Sequence, residues 1–151
     1  MSRLYEDDFT AWAEETVLLL RKDRFGDIDM DALIEEIEGL ARYHRDAIKS
    51  QLKRLLLHLL KLQYCGDIDY KRAHRGWYRR VAQARGEIED KIEGSPSLSS
   101  YPASQLDSAY RKARGDAFRV EGLQAESVPE SCPWRIEQVL DPDFFPSREN
   151  A

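Results

Sequence analysis

The sequence predicts an all-α fold: a bundle of four main helices around one long central helix, with a C-terminal segment containing a short helix. Three observations carry this. The stretch Ile48–Tyr64, IKSQLKRLLLHLLKLQY, holds seven leucines, at 52, 55, 56, 57, 59, 60 and 62. It has no Pro, no Gly and no β-branched residue after Ile48, so local preference is helical throughout. At 100° per residue Ile37, Ala41, Ile48, Leu55, Leu59 and Leu62 stack on one side, and Leu56 and Leu60 widen that side until it needs covering from several directions. The composition, 42% hydrophobic and 34% charged, suits amphipathic helices with charged outer faces.

Each element follows in order. The first helix is predicted from about Asp8 to Lys22, capped by Asp7 or Asp8, with Phe9, Trp12, Ala13, Thr16, Leu19 and Leu20 inward and Gly26 breaking the run. Asp29 or Asp31 then caps a helix over Met30–Tyr64, whose stripe Leu33, Ile34, Ile37, Leu40, Ala41 and Ile48 leads into the leucines. Gly39 costs about 1 kcal/mol against Ala, too little to stop a helix with this much apolar face. At 1.5 Å per residue this helix is roughly 50 Å long, so it outreaches its neighbours and invites a second molecule to cover it. Cys65-Gly66-Asp67 closes it. A third helix spans about Arg75–Glu93, with Trp77, Val81, Ala84, Ile88 and Ile92 on one face, and Gly94-Ser95-Pro96-Ser97 ends it. A fourth spans about Gln105–Glu121, with Leu106, Ala109, Tyr110, Ala113, Ala117 and Val120 inward. Ser131-Cys132-Pro133-Trp134 followed by RIEQVL reads as a short capped helix with Pro early in its first turn. Phe144-Phe145-Pro146 is apolar enough to pack back on the bundle.

A chain of 151 residues fits one domain, 1–151. The net charge of −5 argues against whole-molecule attraction to nucleic acid or anionic membrane. Two cysteines, Cys65 and Cys132, make neither a disulfide framework nor a metal quartet, which suits a reducing compartment. Met1 leads straight into SRLYEDDF without an apolar signal core, and Lys and Arg interrupt the leucine run, so the expectation is a cytoplasmic protein with no membrane partner.

Several segments resemble a known family. Tyr5…Asp8-Phe9…Trp12, LIEEIEGL (Leu33–Leu40), HLLKLQY (His58–Tyr64), Trp77, Arg85, Pro96-Ser97-Leu98 and CPWRIEQVLDPDFFP (Cys132–Pro146) are similar to the bacterial family designated domain of unknown function twenty-nine, frequent in cyanobacteria and some proteobacteria. The resemblance covers nearly the whole chain in the same order. It departs at AHRGW, where the family usually has an Arg/Ser-rich turn before its Trp. It implies a compact all-helical fold and no established activity.

For chemistry the residues offer little. His44, Gln51 and His58 recur at spacings of seven, two helical turns or roughly 10 Å, too far apart to share one ion. Neither H-x-x-x-H nor E-x-x-H occurs, so no metal site, cofactor or catalytic residue is assigned. Hydrogen-bonded polar residues at a core margin account for the three. A sharper alternative makes them self-association positions: two long helices crossing antiparallel with Gln51 on the two-fold axis would set His44 against His58 of the other copy. Glu35, Glu36 and Glu38 read as a solvated face. Cys132 sits near a presumed helix start, where a thiolate is favoured, but a small packed thiol is the simpler reading. No Gly-rich phosphate loop, G-x-S-x-G or dinucleotide fingerprint is present, which leans away from an enzyme.

Charge order is more informative. From Lys71 to Arg85 six basic residues occur without an acid, and Glu87, Glu89, Asp90 and Glu93 follow. That order opposes the helix dipole by some tenths of a kcal/mol per charge. An antiparallel third helix would bring its acidic end beside Arg42, Arg45 and Lys49. Its basic start, with Arg54 and Lys61, forms a candidate anion-binding pole of Arg54, Lys61, Lys71, Arg72, Arg75, Arg79 and Arg80, opposite an acidic pole from Glu6 to Glu38. Solvated faces are the bland reading. The functional readings are a protein-association or assembly module that forms homo-oligomers, with another protein partner open, and a regulator binding RNA or another polyanion, with Trp77, Tyr78 and Tyr70 as stacking surfaces.

Overall fold

Asp8 starts the first main helix. Its backbone is extended (φ −148°) and its Oδ1 accepts the Ala11 N–H at 3.0 Å, an N-cap that satisfies one of the orphan donors. In the computed structural model, which describes residues 3–148, the described residues form six helices and no strand: α1 (Arg3–Asp7), α2 (Phe9–Arg21), α3 (Met30–Tyr64), α4 (Asp67–Gly94), α5 (Tyr101–Arg119) and α6 (Ile136–Leu140). The four main helices are α2 to α5, and α3, with 35 residues, is the longest. Compact structure divides at residue 43, inside α3, into Met1–Tyr43 and His44–Ala151.

In the first unit α2 ends before the expected breaker Gly26, on a left-handed residue. Asp23 takes φ +53°, and the N–H groups of Asp23 and Arg24 return to the carbonyls of Leu20 (3.2 Å) and Leu19 (2.9 Å). This is the Schellman pattern, with a short polar side chain where glycine is usual. Asp29, not Asp31, caps α3 by accepting the Ala32 N–H at 3.2 Å. The short α1 was not foreseen; Tyr5 holds it, its ring tilted against Trp12 (4.7 Å between centroids) and its hydroxyl donating to Glu36 Oε1 at 2.6 Å. That hydrogen bond is the main reason the Tyr5 hydroxyl pKa is pushed up to about 12. Trp12, Thr16, Ile28 and Ala32 are the buried side chains here.

The second unit contains the leucine core. Leu52, Leu55, Leu56, Leu59 and Leu60 are fully buried against Trp77, Val81, Ala84 and Ile88 of α4 and Ala109, Tyr110, Ala113 and Ala117 of α5. Helix α4 starts eight residues before the predicted Arg75. Only Cys65 and Gly66 separate it from the end of α3, and Asp67 and Asp69 occupy its first turn, where the dipole favours acids. Helix α5 starts at Tyr101, four residues early, with Pro102 in its first turn. Val120, expected inward, lies past its end and is exposed. Helix α6 begins at Ile136, three residues after Pro133, and the Gln138 side chain accepts the Arg135 N–H at 3.0 Å.

One buried cation ties the C-terminal segment to the bundle. Arg85, 6% exposed, donates through Nε to the Val139 carbonyl (2.8 Å) and through Nη2 to the Phe144 carbonyl (2.8 Å), and lies over the Phe145 ring. Arg148 closes α3 by donating to the carbonyls of Leu62 (3.1 Å) and Cys65 (2.9 Å) while pairing with Asp67.

Candidate functional site

The apolar stripe of α3 has two fates. From Ile48 onward it is covered: Ile48, Leu52, Leu55, Leu59 and Leu62 are at most 1% exposed. From Ile34 to Leu40 it is exposed, with Ile34 at 47%, Ile37 at 57% and Leu40 at 69%, while Leu33 is half-buried. These residues were expected to turn inward. The sides of α3 that the first unit does use carry Ala32 and Glu36, which meet the small α1–α2 layer. On α2, Phe9, Val17, Leu18 and Leu20 are exposed as well, although Phe9 and Leu20 were expected to face in. Ten of the twelve exposed large apolar side chains among the described residues lie between Phe9 and Tyr43. Scattered apolar residues on a surface need no explanation, but here they are concentrated on one 43-residue unit.

A sequence profile of one family, Domain of unknown function DUF29, matches residues 4–145. The chain belongs to this family. The match contains all six helices but for Arg3 at the start of α1, so the DUF29 architecture and the all-α bundle coincide. No curated protein and no solved structure matches the chain.

The polar positions of α3 fare differently in this DUF29 chain. His58 is 7% exposed, and its Nδ1 lies 2.8 Å from the Arg54 carbonyl, so Nδ1 carries the proton. Burial, helped by the nearby charges of Lys61 and Arg80, lowers its pKa below the usual 6.5. Its ring is covered by its own chain. His44 and Gln51 are half-buried. Among the described residues no three His, Cys, Asp or Glu side chains converge as metal ligands would.

The basic residues do not act as one group. Lys61 pairs with Glu121 at 3.0 Å and lies 4.9 Å above Trp77, on the wall of a cavity of about 470 Å³ that also involves Tyr64, Cys65 and Arg72. Arg72 reaches only Asp69, in an exposed pair. Arg54, Lys71, Arg75, Arg79 and Arg80 are exposed and make no ion pair among the described residues. Trp77 is 8% exposed and belongs to the core, Tyr70 stacks on His74 with Arg148 on its ring, and Tyr78 packs on Phe145. The three rings expected to stack on bases are thus engaged within the chain.

Nor does internal pairing explain the charge order of α4. Among the described residues no ion pair joins Glu87, Glu89, Asp90 or Glu93 to a cation, so the expected match with Lys49 is absent. Gly76 and Gly86 add to the puzzle. A β-carbon at either would meet nothing within 4 Å, yet each glycine costs a helix interior about 1 kcal/mol against alanine. Both cysteines are free and partly buried; burial pushes the Cys132 thiol up, and Sγ donates to the Trp134 carbonyl, as a packed thiol rather than a thiolate would. No helix among the described residues is long and apolar enough to cross a membrane.

Proposed function

We propose that this DUF29 chain is a helical protein-association module that assembles with copies of itself through the bare apolar face of its first unit. The observation that carries the reading is the exposure of Ile34, Ile37 and Leu40 on the same helix whose later leucines are sealed. A unit this small, with four buried side chains, falls below the size at which one core is self-sufficient. Covering three half-exposed aliphatic side chains contributes about 1 kcal/mol each, and the matching face of a second copy supplies an equally apolar cover. The first unit carries five basic and twelve acidic residues, a net of −7, whereas residues 44–151 carry eighteen and sixteen, a net of +2. Two first units therefore repel at their rims, and an apolar contact between them is expected to persist or tighten as salt rises.

The test is light scattering behind size-exclusion chromatography on the chain and on Ile37→Glu/Leu40→Glu. Loss of a salt-resistant oligomer in the variant is expected; an unchanged oligomer sinks this surface. Polyanion binding is a second reading, favoured by the exposed cations of α4 and weakened because Tyr70, Trp77 and Tyr78 are engaged within the chain. It predicts bound nucleic acid that is lost steeply with salt.

A further inference from the structure

The outer face of α4 is a second, separate surface. At 100° per residue, Ile68, Arg72, Arg75, Arg79, Ala82, Gln83, Gly86, Asp90 and Glu93 fall on one side, away from buried Trp77, Val81, Ala84 and Ile88. All are exposed except half-buried Gly86. Along this side the cations come first, the small and neutral residues lie in the middle, and the acids come last.

That order is self-complementary under a two-fold axis. We propose that two copies pair α4 against α4 antiparallel, with the axis between Ala82 and Gln83. Residue numbers then sum to a constant across the contact, so Arg72 meets Glu93 of the other copy and Arg75 meets Asp90, each twice. Arg79 lies over Gly86, where no β-carbon stands in its way. One arrangement thus accounts for three features that the isolated chain leaves unexplained. The cations precede the acids against the helix dipole, among the described residues neither set forms an ion pair beyond the exposed Arg72–Asp69 pair, and glycine occupies a position with open space above it. A parallel pairing would set like charges together, and an acidic partner of another kind would leave Glu89, Asp90 and Glu93 unmatched.

This goes beyond the apolar contact and uses none of its residues. A chain with two distinct two-fold surfaces assembles past the dimer, and blocking either surface stops it at a dimer held by the other. The α4 contact is electrostatic, so salt weakens it, whereas the apolar contact resists salt.

The test reads the α4 contact alone, in a parent chain carrying Ile37→Glu/Leu40→Glu. One derivative adds Arg72→Glu/Arg75→Glu, the other Asp90→Arg/Glu93→Arg. Both changes follow the dipole preference, and circular dichroism of each checks that the helix is kept. By analytical ultracentrifugation at low salt the parent is expected to dimerise, each derivative alone to weaken at least roughly tenfold, and their equimolar mixture to form a heterodimer. Raising the salt should dissociate both dimers. A monomeric parent, derivatives that dimerise as the parent does, or a mixture that stays monomeric overturns the proposal. So does a monomeric parent that holds nucleic acid at low salt, which transfers the cations to polyanion binding. If the apolar reading fails instead, Ile37→Glu/Leu40→Glu leaves the unmodified chain's assembly unchanged while the charge variants still act.

Discussion

Arg85 shows how much one side chain can hold in a bundle of this size. Its guanidinium links α4 to the carbonyls of both Val139 and Phe144, across 54 and 59 residues of chain. Replacing it by leucine leaves those acceptors unpaired and should cost about 2–4 kcal/mol, read as a lower denaturation midpoint. Lysine, with one donor centre, should recover less than half of the loss. The sequence marked Arg85 through the family resemblance and counted it with the basic run, but its partners are backbone carbonyls, which no side-chain pattern announces. His58 is a second case. Burial holds its folded-state pKa below the unfolded 6.5, against the opposing hydrogen bond to the Arg54 carbonyl and the weaker pull of Glu121. Between the two values the unfolded chain binds more protons, so stability is full above about pH 6.5 and declines as pH falls through the folded value. Denaturation midpoints measured from pH 7.5 to 5 should show that decline, and His58→Gln should flatten it. Its helical position was legible; its burial was not, because a histidine at the edge of a leucine stripe can turn either way.

At the scale of elements, α3 was readable to its end residues because capping, periodicity and leucine content agree over nine or so turns. What the periodicity could not say is which part of the stripe has neighbours. Ile34 and Ile37 have the same spacing as Leu59 and Leu62, and only the length of α3 against its companions hinted that one part would stay bare. Helix α4 was read eight residues short because Cys65-Gly66-Asp67 looks like a long connection. The connection is only Cys65 and Gly66, since Arg148 takes up the last carbonyls of α3 and Asp67 opens α4. The glycines of α4 give a prediction at this scale. Gly76→Ala and Gly86→Ala meet open space, so each should stabilise the isolated monomer by about 0.5–1 kcal/mol in thermal or urea unfolding. A loss of stability would mean that the glycines serve an internal contact, against the account of α4 as an outward surface.

For the whole molecule the distribution of apolar and charged residues matters more than their totals. A net charge of −5 conceals a first unit at −7 and a second at +2, and a hydrophobic content of 42% conceals one unit with a sealed leucine core and another with an open face. Composition could exclude whole-molecule attraction to polyanions; it could not locate the open face. The proposed assembly follows from that imbalance, because covering an apolar face of this kind in a second copy removes it from water. The most direct measurement is the mass of the unmodified chain by light scattering behind size-exclusion chromatography, across concentration, at low and at high salt, with absorbance checked for nucleic acid. The account predicts a nucleic-acid-free oligomer that keeps at least a dimer at high salt and becomes a smaller species when Leu40 is changed to Glu. A monomer at every concentration and both salts would contradict it.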